Sequence, residues 1–337
     1  MIWIHFVFSS LLVISGGYFL ARQGKELAAR YGLTDLWVGF IFLSAVTSIP
    51  ELATALGAVT VAASPSLALS DILGSNSFNL FVLGVFGVVL FRSSLFAGLT
   101  IDAFRLMLGM IVLMTAVILG GTLLERWVIL PTLGGISLTS WAVLVLYLFG
   151  SWKVFRDEHR APDPLALAEP VRVRAESGRF FFLRLFISIF QVVVGGFWLA
   201  WAGSGISART GWGDGFVGAL FLALITSLPE ISVSLGAVKI RAPRMLLGNI
   251  LGSNIFNLGI IFWADLAYRR SSILVGMTAP VIVSGILGLI LVLLVALSLK
   301  LHRPGFGREM AMINLIIALV YLVGMRWIFL LSVRGVG

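Results

Sequence analysis

Ten stretches of this chain are long and apolar enough to cross a lipid bilayer, and no other feature constrains its fold as strongly. A membrane-spanning helix needs about 20 mostly apolar residues. Charged residues make up only 12% of the chain, about half of their share in soluble domains. We therefore predict an all-α integral membrane protein. The predicted spans are residues 3–21, 35–60, 66–91, 97–119, 127–150, 180–203, 213–238, 244–267, 272–299 and 309–331.

The basic residues are distributed unevenly between the two sides of these spans. If the N-terminus lies outside, eighteen of the 24 lysines and arginines fall in inner segments and six in outer segments. Because basic residues are retained in the cytoplasm, we predict a multi-pass cell-membrane protein with both termini outside and the 151–179 loop in the cytoplasm. The net charge of +9 then indicates topology and not nucleic-acid binding. The first apolar segment is predicted to be a retained helix, not a signal peptide.

An internal repeat divides the chain into two halves. Residues 35–61 match residues 214–240 at an offset of 179, and Ile72–Leu80 matches Ile250–Leu258 at an offset of 178. Each half contains five predicted spans, and an odd number inverts the second half relative to the first. Two inverted five-helix repeats with a site between them are typical of secondary transporters. The predicted divisions are residues 1–150, the loop 151–179 and residues 180–337.

Two glutamates lie near the middle of predicted spans, one in each half. Glu51 ends the sequence Thr-Ser-Ile-Pro-Glu, and Glu230 ends Thr-Ser-Leu-Pro-Glu. An ionised side chain at this depth costs several kcal/mol and by default indicates a functional site. No lysine or arginine occurs at matching depth in any predicted span. We therefore expect a bound cation or shared protons to relieve the repulsion between the two carboxylates.

Further oxygen atoms accompany both glutamates. Pro50 and Pro229 lack an N–H, so the carbonyl four residues earlier loses its usual donor, and free carbonyls in a membrane are tolerated where they line a cavity. Hydroxyl residues precede each glutamate, and a spacing of four places hydroxyl and amide side chains on one face of the third and eighth spans. The candidate ligands are Thr47, Thr226, Ser48, Ser227, Ser75, Ser253, Asn79 and Asn257.

These oxygen atoms suit a hard cation, because Ca²⁺ takes six to eight oxygen ligands. The chain has no cysteine, which excludes disulfides and thiolate centres. His5, His159 and His302 lie near span ends or in loops, so we expect no zinc-type site in the membrane. No Walker-type loop is present, so the gradient of another ion should drive transport. We expect no cofactor and no obligatory protein partner; the partners are inorganic cations and the lipid bilayer.

The paired Thr-Ser-[Ile/Leu]-Pro-Glu and Gly-Ser-Asn-x-Phe-Asn segments resemble the two alpha repeats of the calcium/cation antiporter superfamily, in its sodium/calcium exchanger branch. The resemblance covers essentially the whole chain. It implies that Glu51 and Glu230 bind Ca²⁺ together with the carbonyls of Thr47 and Thr226, and that the first and sixth spans slide against the other helices to alternate access. The residues that it implies for flanking Na⁺ positions are Ser44, Ala223, Ser48, Ser227, Ser75, Ser253, Asn79 and Asn257.

The chain departs from this family pattern in two places. Asn257 stands where the best-known exchangers of the branch carry aspartate. The chain therefore lacks one titratable group that is relevant to the exchange of three Na⁺ for one Ca²⁺. The 151–179 loop contains no EF-hand pattern, so we do not expect calcium regulation from the cytoplasm. Because one Ca²⁺ or two Na⁺ would neutralise two glutamates, we predict Ca²⁺/Na⁺ exchange by alternating access at a midplane site.

Three alternatives remain open from the sequence. A Ca²⁺/H⁺ antiporter fits two carboxylates equally well on charge grounds, although the proton-coupled branch usually lacks the prolines at positions 50 and 229. An intramembrane hydrolase would need a nucleophile with a base within reach, and no histidine or cysteine lies in the core of a predicted span. A passive cation channel differs from an antiporter in lacking coupled counterflow.

Several polar residues lie outside this candidate site. Asp71 and Asp265 could attract cations at the outer mouth, but acids near span ends are usually solvated, and we favour that interpretation. Asn76 and Asn254 are expected to join helices instead of binding ions. Gly74 and Gly252 are expected to let another helix approach closely.

Overall fold

Long α-helices make up most of this computed structural model, which describes residues 2–90, 102–125, 127–128, 132–160, 178–210, 223–301 and 307–334. The long helices are α1 (Ile2–Tyr31), α5 (Pro65–Leu90), α6 (Asp102–Glu125), α7 (Leu138–Arg160), α8 (Gly178–Thr210), α11 (Pro243–Tyr268), α12 (Ala279–Lys300) and α13 (Gly307–Arg334). Short helices form the second span: α2 (Asp35–Trp37), a π-helix (Val38–Leu43), α3 (Ser44–Thr47) and α4 (Ile49–Thr60). Two more, α9 (Ala223–Thr226) and α10 (Leu228–Lys239), precede α11.

The described helices account for nine of the ten predicted spans directly. Eight are long and apolar enough to cross a membrane, and the pair Asp35–Thr47 and Ile49–Thr60, bent by 41°, forms a ninth. The predicted span 213–238 is described only from Ala223 onwards, as α9 and α10. Helix α7 is longer than predicted. It continues to Arg160, so the first ten residues of the predicted 151–179 loop are helical.

The first helices of the two halves run antiparallel to each other, as inverted repeats require. At one end, Glu26 of α1 forms an ion pair with Arg184, near the start of α8, at 3.5 Å. At the other end, Ile2 packs with Ala202 and Ile206, near the end of α8. The chain is therefore an all-α membrane protein whose two halves are related by inversion.

Helices α5 and α11 form the centre of the structure. In the most apolar stretch of each helix, 78% of the residues of α5 and 94% of those of α11 are buried inside the protein. In α1, α7, α8 and α13 the buried share of that stretch is 33% or less. A helix that is enclosed by other helices can carry polar side chains without exposing them to lipid. The polar faces of α5 and α11 therefore lie inside the protein.

Glycine allows α11 to approach the π-helix backbone to backbone. A Cβ on Gly39 would collide with the carbonyl oxygen of Met245, and one on Gly252 would lie 2.5 Å from the carbonyl oxygen of Phe40. The expected close approach at Gly252 is thus confirmed. This contact fixes the second span against α11 immediately before the residues of the candidate site.

Asp265 is a structural residue and not a solvated acid. Its carboxylate is fully buried and accepts hydrogen bonds from the backbone N–H of Ser137 at 2.9 Å and of Ile273 at 2.8 Å. Ser137 ends a short hairpin, in which strand β1 (Thr132–Leu133) pairs with β2 (Ile136–Ser137). Our interpretation of Asp265 as a solvated acid was therefore wrong, because this hairpin and a short 3₁₀-helix (Ile273–Gly276) fold over it and supply amide donors.

Ion pairs join several helix ends on one side of the structure. Lys25 bonds to Asp35 at 2.9 Å, and the buried Arg244 bonds to both carboxylate oxygens of Glu158 at 2.8 Å. These residues belong to the end of α1, the start of α2, the end of α7 and the start of α11. All four ends lie on the side that we predict to be cytoplasmic.

Candidate functional site

Two breaks in the helices bring the glutamates into the protein centre. Ser48, between α3 and α4, has φ −92° and ψ 9°, and Ser227, between α9 and α10, has φ −81° and ψ 2°. Each break precedes a proline in the first turn of the next helix, as expected from its missing N–H and its bulky ring. Glu51 and Glu230 occupy those same first turns, where the positive end of a helix favours a carboxylate.

The structure buries every residue that the sequence suggested for the site. Each is at most 1% exposed, although all but one are polar. Polar groups at this depth are retained at a cost that hydrogen bonds or a ligand must offset. The residues are Ser44, Thr47, Ser48, Glu51, Ser75, Asn79, Ala223, Thr226, Ser227, Glu230, Ser253 and Asn257.

The two glutamates differ in their hydrogen bonds. Oε1 of Glu230 accepts from the hydroxyl of Ser48 at 2.8 Å. Within the described part of the chain, Oε2 of Glu230 and both carboxylate oxygens of Glu51 have no hydrogen-bond partner. Glu51 also interacts electrostatically with Glu230. An ionised pair of this kind would be costly in a protein interior unless a positive charge accompanied it.

Hydroxyl groups from the two halves meet in two equivalent contacts. The Oγ1 of Thr47 lies 3.3 Å from the Oγ of Ser253, and the Oγ of Ser75 lies 3.3 Å from the Oγ1 of Thr226. Each contact joins a residue four positions before one glutamate to the central helix of the opposite half. The structure thus brings both glutamate segments and both polar helix faces together.

The remaining candidate residues are close to the site but make other contacts. The Ser44 hydroxyl donates to the Phe40 carbonyl of its own helix turn. The carbonyl of Ala223 accepts from the backbone N–H of Ser227 at 3.0 Å. Among the described residues, the Ser227 hydroxyl and the amide nitrogens of Asn79 and Asn257 have no hydrogen-bond partner. The Ser227 hydroxyl and Oδ1 of Asn257, which is also unpartnered there, are oxygens that remain available to a cation.

Asn249 is a site residue that the sequence analysis missed. Its Nδ2 donates to the carbonyl of Glu230 and to the hydroxyl of Ser234, both at 3.2 Å, and its Oδ1 lies 3.5 Å from the Oγ1 of Thr47. Its position one turn before Ser253 was the available signal, because that spacing places it on the same helix face.

Asn76 and Asn254, which occupy equivalent positions of the two repeats, make different contacts. Asn76 donates its Nδ2 to the backbone carbonyl of Asn254 at 3.1 Å, so α5 and α11 are joined at equivalent positions of the two repeats. Asn254 in turn donates to the carbonyl of Ile250 at 3.1 Å. The prediction that these side chains join helices is therefore confirmed for Asn76, whereas the Asn254 side chain bonds within its own helix.

Carboxylates alone do not form a metal centre in this structure. Over the described ranges, no three side chains of Asp, Glu, His or Cys lie together in a group that could hold a metal ion. A cation at the two glutamates would therefore also need the hydroxyl, amide and carbonyl oxygens around them. This is the ligand chemistry of hard cations such as Ca²⁺ and Na⁺.

Helices α1 and α8 contact the site through glycine. A Cβ on Gly196 would lie 2.7 Å from Cγ of Pro50 and 3.7 Å from Cγ of Pro229, so α8 passes directly over both helix breaks. A Cβ on Gly17 of α1 would lie 2.5 Å from Cβ of Ser232 in α10. At these two positions α1 and α8 therefore carry no side chain that could interlock with the helices of the site.

A helical membrane protein with two inverted halves, broken helices and buried paired acids at their interface belongs to the class of secondary transporters. The particular family is given by a family model described as "Sodium/calcium exchanger protein", which matches residues 1–150 and 180–330. The chain belongs to this family and is a cation antiporter and not an enzyme.

Several known proteins are similar in sequence to this chain. The chain is 25% identical over 260 residues to "Uncharacterized membrane protein MJ0091" of Methanocaldococcus jannaschii, covering 76% of this chain and 78% of that protein. It is 26% identical over 267 residues to "Inner membrane protein YrbG" of Escherichia coli, covering 74% and 75%. A shorter match, 33% identical over 87 residues and 26% of each chain, is to "Putative antiporter CaxA" of Alkalimonas amylolytica.

Solved structures of the sodium-calcium exchanger NCX_Mj have the same fold. One, from a crystal soaked with 2.5 mM Na⁺ and 10 mM Sr²⁺, has a TM-score of 0.70 at 20% identity and covers 97% of this chain and 99% of its own. Another, soaked without Na⁺ and Ca²⁺, has a TM-score of 0.68 at 19% identity and covers 96% and 97%. The likeness establishes the shared fold.

Proposed function

We propose that this protein exchanges Ca²⁺ for Na⁺ across the cell membrane at a central site formed by Glu51 and Glu230. The observation that carries the proposal is the burial of these two carboxylates, one from each repeat, with three of their four oxygens unpartnered among the described residues. A buried, unpaired carboxylate is costly, and a bound cation offsets that cost. The family match supports cations as the cargo.

The proposed ligands combine charge with neutral oxygens. Ca²⁺ takes six to eight oxygens at about 2.3–2.6 Å. Glu51 and Glu230 would supply the charge, and the carbonyls of Thr47 and Thr226 would add neutral ligands. The neighbouring hydroxyls and amides would form the Na⁺ positions, with Ser44, Ser48, Ser75, Asn79, Ala223, Ser227, Ser253 and Asn257 as the residues concerned.

Exchange follows from charge balance at this pair. Two ionised glutamates carry a charge of −2, which one Ca²⁺ or two Na⁺ neutralise. The two ions compete for the same oxygens, so binding of one excludes the other. The empty, doubly charged form would cross the apolar barrier rarely, because moving uncompensated charge into low dielectric is costly. Only the loaded forms change sides, and the opposite movements are coupled.

The moving part would be the pair α1 and α8. Both helices contact the broken helices at glycine, where no side chain interlocks with the site. Sliding of this pair over Pro50 and Pro229 would expose the glutamates alternately to the two sides. We further propose that the termini lie outside and the 151–179 loop in the cytoplasm, in accordance with the excess of basic residues in that loop and on its side.

Ion flux in proteoliposomes tests the proposal. Ca²⁺ uptake should follow an outward Na⁺ gradient when pH is clamped, and Glu51→Gln and Glu230→Gln should each abolish it. The exposed Glu309 allows a matched control, since Glu309→Gln makes the same chemical change on the surface and should transport normally. Uptake that survives in both site variants would refute the proposal.

A Ca²⁺/H⁺ antiporter is the alternative that the same vesicles distinguish. With the Na⁺ gradient clamped, an imposed pH gradient should not drive Ca²⁺ uptake if Na⁺ is the coupling ion. Uptake that follows the pH gradient and ignores Na⁺ would support proton coupling instead. Conductance without counterflow would indicate a passive channel.

A further inference from the structure

Asp71 is a third buried acid next to the glutamate pair. It lies in α5, one helical turn before Ser75, and is 1% exposed. Neither of its carboxylate oxygens has a hydrogen-bond partner in the described part of the chain, and no lysine or arginine there forms an ion pair with it. The interpretation of Asp71 as an ordinary solvated acid was wrong, because neighbouring helices enclose this turn of α5.

The equivalent residue of the other repeat shows that Asp71 has a different role. At the offset of 178, Asp71 corresponds to Asn249, whose Nδ2 donates to the carbonyl of Glu230 and to the hydroxyl of Ser234. At the offset of 179, Ser234 corresponds to Ala55, which has no hydroxyl. The first half thus lacks both the amide donor and one of its acceptors. An ionised Asp71, which has no donor, therefore cannot reproduce the structural bonds of Asn249.

Asp71 lies near Glu51, at one edge of the site. Asp71 interacts electrostatically with Glu51, and the side chain of Thr226 also lies beside Glu51. Ser75, which follows Asp71 on the same face of α5, contacts Thr226 through its hydroxyl at 3.3 Å. One region is therefore bordered by two carboxylates, those of Asp71 and Glu51, and by the hydroxyls of two neighbouring residues. It lies on the side of the site nearer the loop between α4 and α5.

We infer that Asp71 binds an alkali cation beside Glu51, as a position additional to the two charges balanced at the glutamate pair. The inference rests on the proposed function. An alkali cation fits better than a second divalent ion, because one carboxylate offers a single charge and the described acids do not converge as a group of three that could hold one metal ion together. Three buried acids would then hold three Na⁺ in the sodium-loaded protein.

Binding stoichiometry tests this inference without a transport assay. Purified protein in detergent should bind three ²²Na⁺ per chain in the absence of Ca²⁺, and Asp71→Asn should bind two. Asparagine is the matched replacement, since it has the same shape and already occupies position 249. A parallel titration with ⁸⁶Rb⁺, as a substitute for K⁺, distinguishes the cation. If one Rb⁺ binds per chain and this binding is lost in Asp71→Asn, the position takes K⁺. If three Na⁺ bind and no Rb⁺ binds, the position takes Na⁺.

The outcomes separate this inference from the proposed function. If wild-type protein exchanges Ca²⁺ for Na⁺ but binds only two alkali cations, or if Asp71→Asn binds as many as wild type, the inference fails and the proposed function stands. If Glu51→Gln and Glu230→Gln both still exchange, the proposed function fails, and the inference fails with it. A wild-type count of only two overturns the inference even if Asp71→Asn does not fold.

Discussion

The Ser48 hydroxyl donates to Oε1 of Glu230 at 2.8 Å, so a residue of one repeat orients the acid of the other. Ser48 occupies the break between α3 and α4, where its backbone leaves helical geometry. The break that exposes oxygen atoms around Glu51 therefore also positions the partner carboxylate. Its repeat equivalent, Ser227, makes no such bond among the described residues, so the two halves contribute unequally.

This inequality leads to a prediction for Ser48→Ala. A hydrogen bond to a charged group contributes about 1.5–3 kcal/mol, so loss of the bond should weaken Ca²⁺ binding about tenfold or more. Equilibrium ⁴⁵Ca²⁺ binding to purified protein measures the effect. Ser227→Ala is the matched variant and should weaken binding less. Equal effects in both variants would contradict the asymmetry.

The buried carboxylate of Asp265 should contribute to stability and not to transport. In Asp265→Asn, an amide group would face one of the two backbone N–H groups that now donate to the carboxylate, and an unsatisfied buried donor costs about 1–3 kcal/mol. We expect a lower unfolding temperature in detergent, with unchanged exchange per folded molecule. Asp157→Asn, at an exposed position, should leave the unfolding temperature unchanged. Loss of exchange without loss of stability would contradict this role.

Much of the fold could be predicted because its determinants are local. The apolar runs gave the long helices, and the missing N–H of Pro50 and Pro229 gave both helix breaks. The π-helix Val38–Leu43 could not be predicted, because it depends on contact with α11, a helix more than two hundred residues later. Gly39 permits that contact, but a glycine in a span has many other possible uses.

The residues of the candidate site that could be predicted are those whose sequence pattern occurs in both repeats. Glu51 and Glu230 can be recognised because the same polar segment occurs twice within predicted membrane spans. Asn249 escaped notice and Asp71 was interpreted as a solvated acid, because the two residues differ between the repeats and because burial is not a local property. Asp71 lies near a helix end in sequence, where acids are usually solvated, and only the packing of other helices around α5 buries it.

The predicted orientation can be tested with single cysteines, because the natural chain contains none. Val61, between α4 and α5, is 88% exposed, and Asp157, near the end of α7, is also exposed. With a membrane-impermeant maleimide, Val61→Cys should be labelled in intact cells and Asp157→Cys only after permeabilisation. The cysteine-free parent protein controls for background. The reverse pattern would invert the topology and place the 151–179 loop outside.

Glycine-to-alanine substitutions should separate binding from movement. A Cβ on Gly196 would lie 2.7 Å from Pro50, and one on Gly17 would lie 2.5 Å from Ser232, so either alanine would press a proposed moving helix against the site. Overpacking costs about 1–3 kcal/mol, which would slow exchange about tenfold or more if it falls on the transition between states. Because the ligands are untouched, Ca²⁺ binding should change little.

The control for this prediction is Gly109→Ala in α6, where an added Cβ would meet no atom within 4 Å. It makes the same change in a membrane helix and should leave both binding and exchange close to those of the natural protein. Flux in proteoliposomes and ⁴⁵Ca²⁺ binding in detergent are compared for all three variants. If Gly17→Ala and Gly196→Ala exchange at the rate of Gly109→Ala, then α1 and α8 do not slide over the helix breaks, because a sliding surface could not tolerate the added methyl groups.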